Sequence, residues 1–254
     1  MKIKFATITG ADDRTDINEM VRISKIYPFV EWGILFSPNP DRKGTPRYPT
    51  LEWVKELEKN ISNGKFHSYL PNLPKLNLSA HICGGYSKEA VLTGTIASLR
   101  SELRQPYFMF QRKQLNFNIT KIENYDIFKF ISWGLLDNND TILQFNNANS
   151  SFISDFMDRF PTKDPAFLYD SSGGRGVVSK NWNGIIDNTQ GKMYFTGYAG
   201  GLTPANLESE LQKINAIVGD NEIWIDTETG VRTDDILDLE KVEQFLEIAK
   251  PYTL

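Results

Sequence analysis

The chain has 254 residues, 40% of them hydrophobic, with a formal net charge of −4 and a pI near 5.4. That is material for one sizeable core and a normal length for one closed barrel. The acidic balance argues against electrostatic binding to nucleic acid or to an anionic membrane, and no apolar run approaches the roughly 20 residues that cross a bilayer.

The chain opens on MKIKFATITG, which lacks a signal peptide's apolar core and cleavage site and reads as a strand from the start. Strands are expected over 2–9, 30–36, 76–84, 113–120, 141–146, 166–170, 192–198 and 222–226. Helical periodicity fills most of the gaps, over 16–26, 51–61, 121–131, 150–159, 204–218 and 239–250. The third crossover is weakly patterned, and the sixth, 173–191, is rich in Gly and Asn and reads mostly as loop. Eight βα units with no linker between them predict a single-domain (β/α)8 TIM barrel over 1–254. The rival, a doubly wound open sheet, would show G-x-G-x-x-G after its first strand, and TITGADDRTD contains none. A lone cysteine, Cys83, cannot form an intrachain disulfide and fits a reducing cytosol. Two histidines and one cysteine cannot close a zinc site by themselves. No metal and no cofactor are expected, and the location expected is cytoplasmic.

Alternation within strands assigns faces. In the third, Asn77, Ser79, His81 and Cys83 oppose Leu76, Leu78, Ala80 and Ile82. In the fourth, Gln114, Asn116 and Asn118 oppose Leu115, Phe117 and Ile119. In the fifth, Gln144 and Asn146 oppose Leu143 and Phe145. Helices cover the outside of a barrel, so the apolar set faces out and the amide-rich set faces the lumen. Such a lining is either a self-satisfied polar network around buried water or a ligand site.

Two strand ends carry recognisable chemistry. Gly200-Gly201-Leu202-Thr203-Pro204 closes the seventh strand and opens a helix, with Thr203 as the expected N-cap. The glycines let backbone N–H groups approach an anion beside a positive helix end, unless they only make a tight turn. After the sixth strand, Asp170 precedes Gly173-Gly174-Arg175-Gly176. This is either a general acid or base under a mobile lid or a capping aspartate at a turn.

These segments resemble the phosphoribosylanthranilate isomerase family. Gly200-Gly201-Leu202-Thr203-Pro204-Ala205-Asn206 is similar to the family's Gly-Gly-Leu-x-Pro-x-Asn turn. Trp224-Ile225-Asp226-Thr227-Glu228-Thr229-Gly230-Val231-Arg232 is similar to its Val-Asp-x-Ser-Ser-Gly-Val-Glu strand. The resemblance spans nearly the whole chain and is thin from about 85 to 112. It implies that Asp170 is the general acid. It also implies that Arg47, in Thr45-Pro46-Arg47-Tyr48, meets the anthranilate end, where a guanidinium fork can grip a carboxylate. Gln114-Leu115-Asn116 looks like the family's Gln-Leu-His. The departures fall on the other half of the catalytic pair. The family's Lys-x-Cys-Gly-Ile-Thr carries the basic cysteine, and Ala6 stands at that place; Ser-Ser becomes Glu228-Thr229, and the glutamate after it becomes Arg232.

The expectation is therefore an isomerase moving protons on a small phosphorylated metabolite. Asp170 is the acid, and His81, Cys83 or Glu228 is the replacement base. Arg47, Gln114, Asn116, Asn146, Gly174, Gly200, Gly201, Gly230 and Arg232 are the expected substrate contacts, and Arg232 would offset the charge of Glu228. His67 reads as a surface loop. The alternative is a non-catalytic relative that binds a small ligand or a protein partner. No nucleic-acid or membrane partner is expected, and the pattern does not fix the oligomeric state.

Overall fold

The computed structural model describes residues 1–62, 73–132, 136, 138, 140–170 and 181–253. Eight parallel strands follow one another around a closed barrel: β1 (Lys2–Thr9), β2 (Val30–Phe36), β3 (Asn77–Cys83), β4 (Arg112–Asn116), β5 (Thr141–Phe145), β6 (Ala166–Asp170), β7 (Thr196–Ala199) and β8 (Glu222–Thr227). The β1–β8 seam closes it, with Thr7 opposite Asp226. Helices fill the outer ring: α1 (Ile17–Ile26), α2 (Leu51–Lys59), α3 (Gly85–Thr93), α4 (Ala97–Leu103), α5 (Ile127–Ile131), α6 (Ser150–Arg159), α7 (Leu207–Val218) and α8 (Leu239–Ala249). A short hairpin, β9 (Arg232–Thr233) and β10 (Ile236–Leu237), follows β8.

Local chemistry sets these boundaries. Asp16 accepts a hydrogen bond from Asn18 N, Thr50 Oγ1 from Trp53 N, and Asp238 from Glu240 N and Lys241 N, so each supplies an acceptor to a helix start that has none of its own. Several expected boundaries shift for the same reason. Asn118 does not extend β4, because its side chain accepts from Thr120 N and starts a single 3-10 turn. The helix expected from Lys121 is confined to α5, which Asp126 caps. After β7 the helix begins at Leu207, not at Pro204. Asn206 Oδ1 takes the Thr203 N–H, and Thr203 O accepts from Leu207 N, which makes a separate turn in front of α7. The strand expected over 192–198 is β7 alone. The weakly patterned third crossover contains two helices, α3 and α4.

The alternation sorts as the periodicity demands. Ile3, Ala6, Ile8, Leu78, Ala80, Ile82, Ile223 and Ile225 join the apolar faces of the helices in one continuous core. A second cluster of Phe5, Ile142, Ala166, Leu168, Phe195, Ala199 and Trp224 packs in the lumen. Gly197 is required there, since a Cβ on it would come 2.1 Å from the Trp224 ring. The lumen also holds a buried ion pair, Arg112 Nη1 to Glu31 Oε1 at 3.0 Å, with Thr7 Oγ1 donating to the same oxygen at 2.8 Å. The Arg112 guanidinium lies 4.3 Å from the Trp224 ring centre and 5.1 Å from that of Phe5. This apolar and charged plug closes the barrel below the strand ends.

Candidate active site

A cavity of about 90 Å3 sits at the C-terminal ends of the strands. Its wall includes Thr9 from β1, Leu35 from β2, His81 from β3, Gln114 and Asn116 from β4, Gln144 from β5, Asp170 from β6 and Asp226 from β8. The loops Ala199–Leu202 and Thr227–Gly230 complete the rim. The lumen-facing amides of the middle strands therefore meet Asp170 in one space, and the barrel is closed. Those two conditions decide whether a pocket exists at all.

Asp170 and Asp226 are both buried. Register places them level: Asp170 is opposite Ala199, and Ala199 is opposite Asp226. Two strand spacings separate them, so their backbones stand about 10 Å apart, a quarter of the way round the wall. Thr9 Oγ1 donates to Asp226 Oδ1 at 3.0 Å, which ties the second carboxyl to β1. Burial, with Glu228, Glu31 and Asp170 adding like charge, pushes the Asp226 carboxyl well above its ordinary range, against the pull of Thr9. Two carboxyl groups in different environments on one cavity form an acid/base pair in outline.

The three proposed replacement bases fare differently. His81 lines the cavity from below, fully buried, its Nε2 without a hydrogen-bond partner among the described residues. Burial and then the Arg112 charge push its imidazole down to about 3, so it is neutral and weakly basic. Cys83 lies beside the cavity, accepting from Asn116 Nδ2 at 3.3 Å. Burial pushes its thiol up to about 11, which keeps it protonated near neutrality. Glu228 is on the rim, and its carboxyl is raised by burial, but its Oε1 is held by Arg47 Nη1 at 2.7 Å. Asp226 was not among the residues singled out, although the lumen-facing parity it shares with Trp224 marks it.

Ala6, the residue matched in sequence to the family's cysteine, does not line the cavity. Ala6 packs outward into the helix-facing core, and the lumen-facing residues of β1 are Phe5, Thr7 and Thr9. What β1 offers the cavity is the Thr9 hydroxyl.

The expected substrate contacts divide in the same way. Gln114, Asn116, Gly200, Gly201 and Gly230 line the cavity. Gln114 Nε2 donates to Asn116 Oδ1 at 2.9 Å, leaving Gln114 Oε1 without a partner among the described residues. Gly200 and Gly201 take φ of 119° and 64°, which only glycine adopts without strain. A Cβ on Gly230 would come 2.0 Å from Leu202 O, so the two rim loops pack directly on each other. Asn146 does not line the cavity; its Oδ1 accepts from Ala148 N and Asn149 N in the turn before α6. Arg232 is likewise engaged elsewhere. Its Nη1 donates to Gly10 O at 2.8 Å, its Nη2 to Asp235 O at 2.7 Å and to Asp12 Oδ2 at 3.3 Å, so it struts the loop after β1 against the hairpin. Its charge still lowers the Glu228 carboxyl, as Arg47 does more strongly. Arg47 sits at the rim, φ 78°, its Nε and Nη2 on Asp235 Oδ1. Gly174 and His67 lie outside the described residues.

Fold and site together define a (β/α)8 barrel with an acid/base pocket at its C-terminal mouth, the face where such barrels carry their chemistry. Comparison with known proteins finds a similarity confined in sequence to the C-terminal part. Residues 140–248 match the family described as N-(5'phosphoribosyl)anthranilate (PRA) isomerase. N-(5'-phosphoribosyl)anthranilate isomerase of Zygosaccharomyces bailii is 36% identical over 85 residues, which is 33% of this chain and 38% of that protein. The match thus spans well under half of the curated relative. Among solved structures, phosphoribosyl anthranilate isomerase from Thermus thermophilus superposes with a TM-score of 0.55 at 14% identity, covering 99% of both chains. The Thermotoga maritima enzyme gives 0.55 at 13%, over 99% of this chain and 100% of that one. These two show the fold. The C-terminal sequence is thus similar to the phosphoribosylanthranilate isomerase family, and the whole-length architecture shares the fold of its solved members.

Proposed function

We propose that the protein isomerises a phosphorylated aminoaldose, N-(5'-phosphoribosyl)anthranilate or a close analogue, to the corresponding aminoketose. The observation carrying this is the convergence of Asp170 and Asp226 on one cavity bordered by the Gly200–Gly201 and Thr229–Gly230 loops. The rearrangement needs a proton delivered to the ring oxygen as the C1–O bond opens, and a proton removed from C2 as the enamine forms. Asp170 delivers the first. Asp226, in its ionised form, removes the second, and Thr9 orients it. The paired glycine loops receive the phosphate with backbone N–H groups, and Arg47 meets the carboxylate. A cytoplasmic setting fits a phosphorylated substrate.

The test is turnover of phosphoribosylanthranilate by the purified chain, together with growth of a tryptophan auxotroph lacking this isomerase. Asp170→Asn and Asp226→Asn are each expected to lower kcat by about 10²–10⁴ with the fold intact. A folded chain that neither turns over this compound nor supports growth would overturn the proposal. The rival, a barrel that binds without turnover, draws on one observation: β1 gives the cavity a threonine hydroxyl and no acid or base.

A further inference from the structure

Arg47 is saturated by carboxylates of its own chain. Nη1 meets Glu228 Oε1 at 2.7 Å, and Nε and Nη2 meet Asp235 Oδ1 at 2.9 and 2.8 Å. Its backbone N–H is fixed on Asp12 Oδ2 at 2.7 Å. The two partners differ in position. Asp235 belongs to the exposed turn between β9 and β10, whereas Glu228 lines the cavity. A carboxylate arriving through the cavity therefore reaches the Nη1 edge, and the group it finds there is Glu228.

We infer that Glu228 is an internal stand-in for the substrate's carboxylate: it holds Arg47 in the empty site and must be exchanged for a ligand carboxylate on binding. This rests on the reading of Arg47 as the carboxylate-binding residue. Three features support the exchange. The Glu228–Arg47 pair is partly exposed, at 26% and 27% of the side chains, so Glu228 can swing to water without leaving a stranded buried charge. Asp235 keeps the guanidinium aimed while Glu228 is away. Asp170 and Asp226, whose charges act with that of Glu228, disfavour retention of a third carboxylate once a ligand brings its own charge. The consequence is selectivity. A small lone anion gains little by displacing Glu228, because one carboxylate merely replaces another in water-exposed geometry. A ligand anchored elsewhere, as by a phosphate on the glycine loops, presents its carboxylate at high effective concentration and completes the exchange. Glu228 thus selects for molecules that bear a second anion besides the carboxylate.

The experiment is equilibrium binding of benzoate, a minimal aromatic carboxylate, to the full chain and to E228Q, R47A and the R47A/E228Q double variant, with benzamide as the uncharged control. E228Q is expected to bind benzoate about three- to fivefold more tightly than the native chain, the range of a partly exposed pair. The gain is expected to vanish in the R47A background and to be absent with benzamide. An equal gain with and without Arg47 would mean general charge relief and would overturn the exchange. So would an unchanged or weakened affinity in E228Q whose circular dichroism matches the native chain. Benzoate binding is independent of turnover, so an inactive protein that shows the Arg47-dependent gain would sink the isomerase reading and leave this one standing.

Discussion

Arg112→Leu is expected to be among the most destabilising single changes in the lumen, and its partner's removal is expected to repair it. Arg112 is buried, and its Nη1 stands 3.0 Å from Glu31 Oε1. At an effective dielectric of about 20 that separation corresponds to roughly 5 kcal/mol of attraction. In the folded chain desolvation of both groups offsets much of it, so the pair's net contribution is small. Removing one partner is different. Leucine fills most of the space against Trp224 and Phe5, but Glu31 is left with only the Thr7 hydroxyl, 2.8 Å away. A stranded buried carboxylate costs about 3–5 kcal/mol. In the Glu31→Leu/Arg112→Leu double variant no charge is stranded, and the loss falls to about 1 kcal/mol, the Thr7 hydroxyl being the remaining orphan. Urea unfolding of the native chain, both single variants and the double variant, with m-values compared, measures the cycle. If the double variant loses the sum of the two singles, or if Arg112→Leu loses less than about 1 kcal/mol, the plug is not held as argued.

Other positions give sharper signs than sizes. The His81 imidazole is pushed from 6.5 down to about 3, so between those values the unfolded chain binds a proton that the folded chain refuses. Stability therefore falls with acidification through that window, by about 1.4 kcal/mol per pH unit, and His81→Asn is expected to remove that slope in unfolding measured from pH 7 to 4. Asp226 has the opposite sign. Its raised carboxyl contributes most when protonated and loses stability as pH rises through its folded value, so Asp226→Asn is expected to gain on the native chain in thermal unfolding as pH increases, while losing activity. Gly230→Ala drives a methyl against Leu202 O. It is expected to lower stability by about 1–3 kcal/mol and to raise KM about tenfold through displaced rim loops, without a matching fall in kcat.

The parts of this molecule that were legible in the sequence are those governed by short-range periodicity. β1, β2 and β6 run over the expected residues, and so does α6, because apolar alternation and helical spacing are local signals. Asp170 was legible because a carboxylate at a strand end before a glycine loop is also a local pattern. Polar residues at strand ends were misread where two roles compete for one amide. Asn118 and Asn146 share the parity of the lumen but lie past the last ladder hydrogen bond, where an Asn side chain captures the N–H two residues on. The engagement of Arg47 by Glu228 and Asp235, 181 and 188 residues away, and of Arg232 by Gly10 has no local signature, because the closed barrel creates it. Asp226 is legible only through the alternation of β8, which puts it on the lumen face with Trp224, two residues before.

The departure from the family's first strand then takes on a different meaning. A barrel wall is continuous, so the seat of a base is defined by level and direction and can be reached from either of two adjacent strands. β1 and β8 are neighbours across the seam, Thr7 opposite Asp226, and the Thr9 hydroxyl reaches the Asp226 carboxyl. A side chain on β1 and the aspartate on β8 can thus address the same region of the cavity, and the Thr9 hydroxyl orients that aspartate. Burial does the remaining tuning, lifting the carboxyl of Asp226 while the same dry lumen, helped by Arg112, holds His81 neutral beneath it. The proposed reaction requires one proton acceptor on the same cavity as Asp170, and on this reading β8 supplies it.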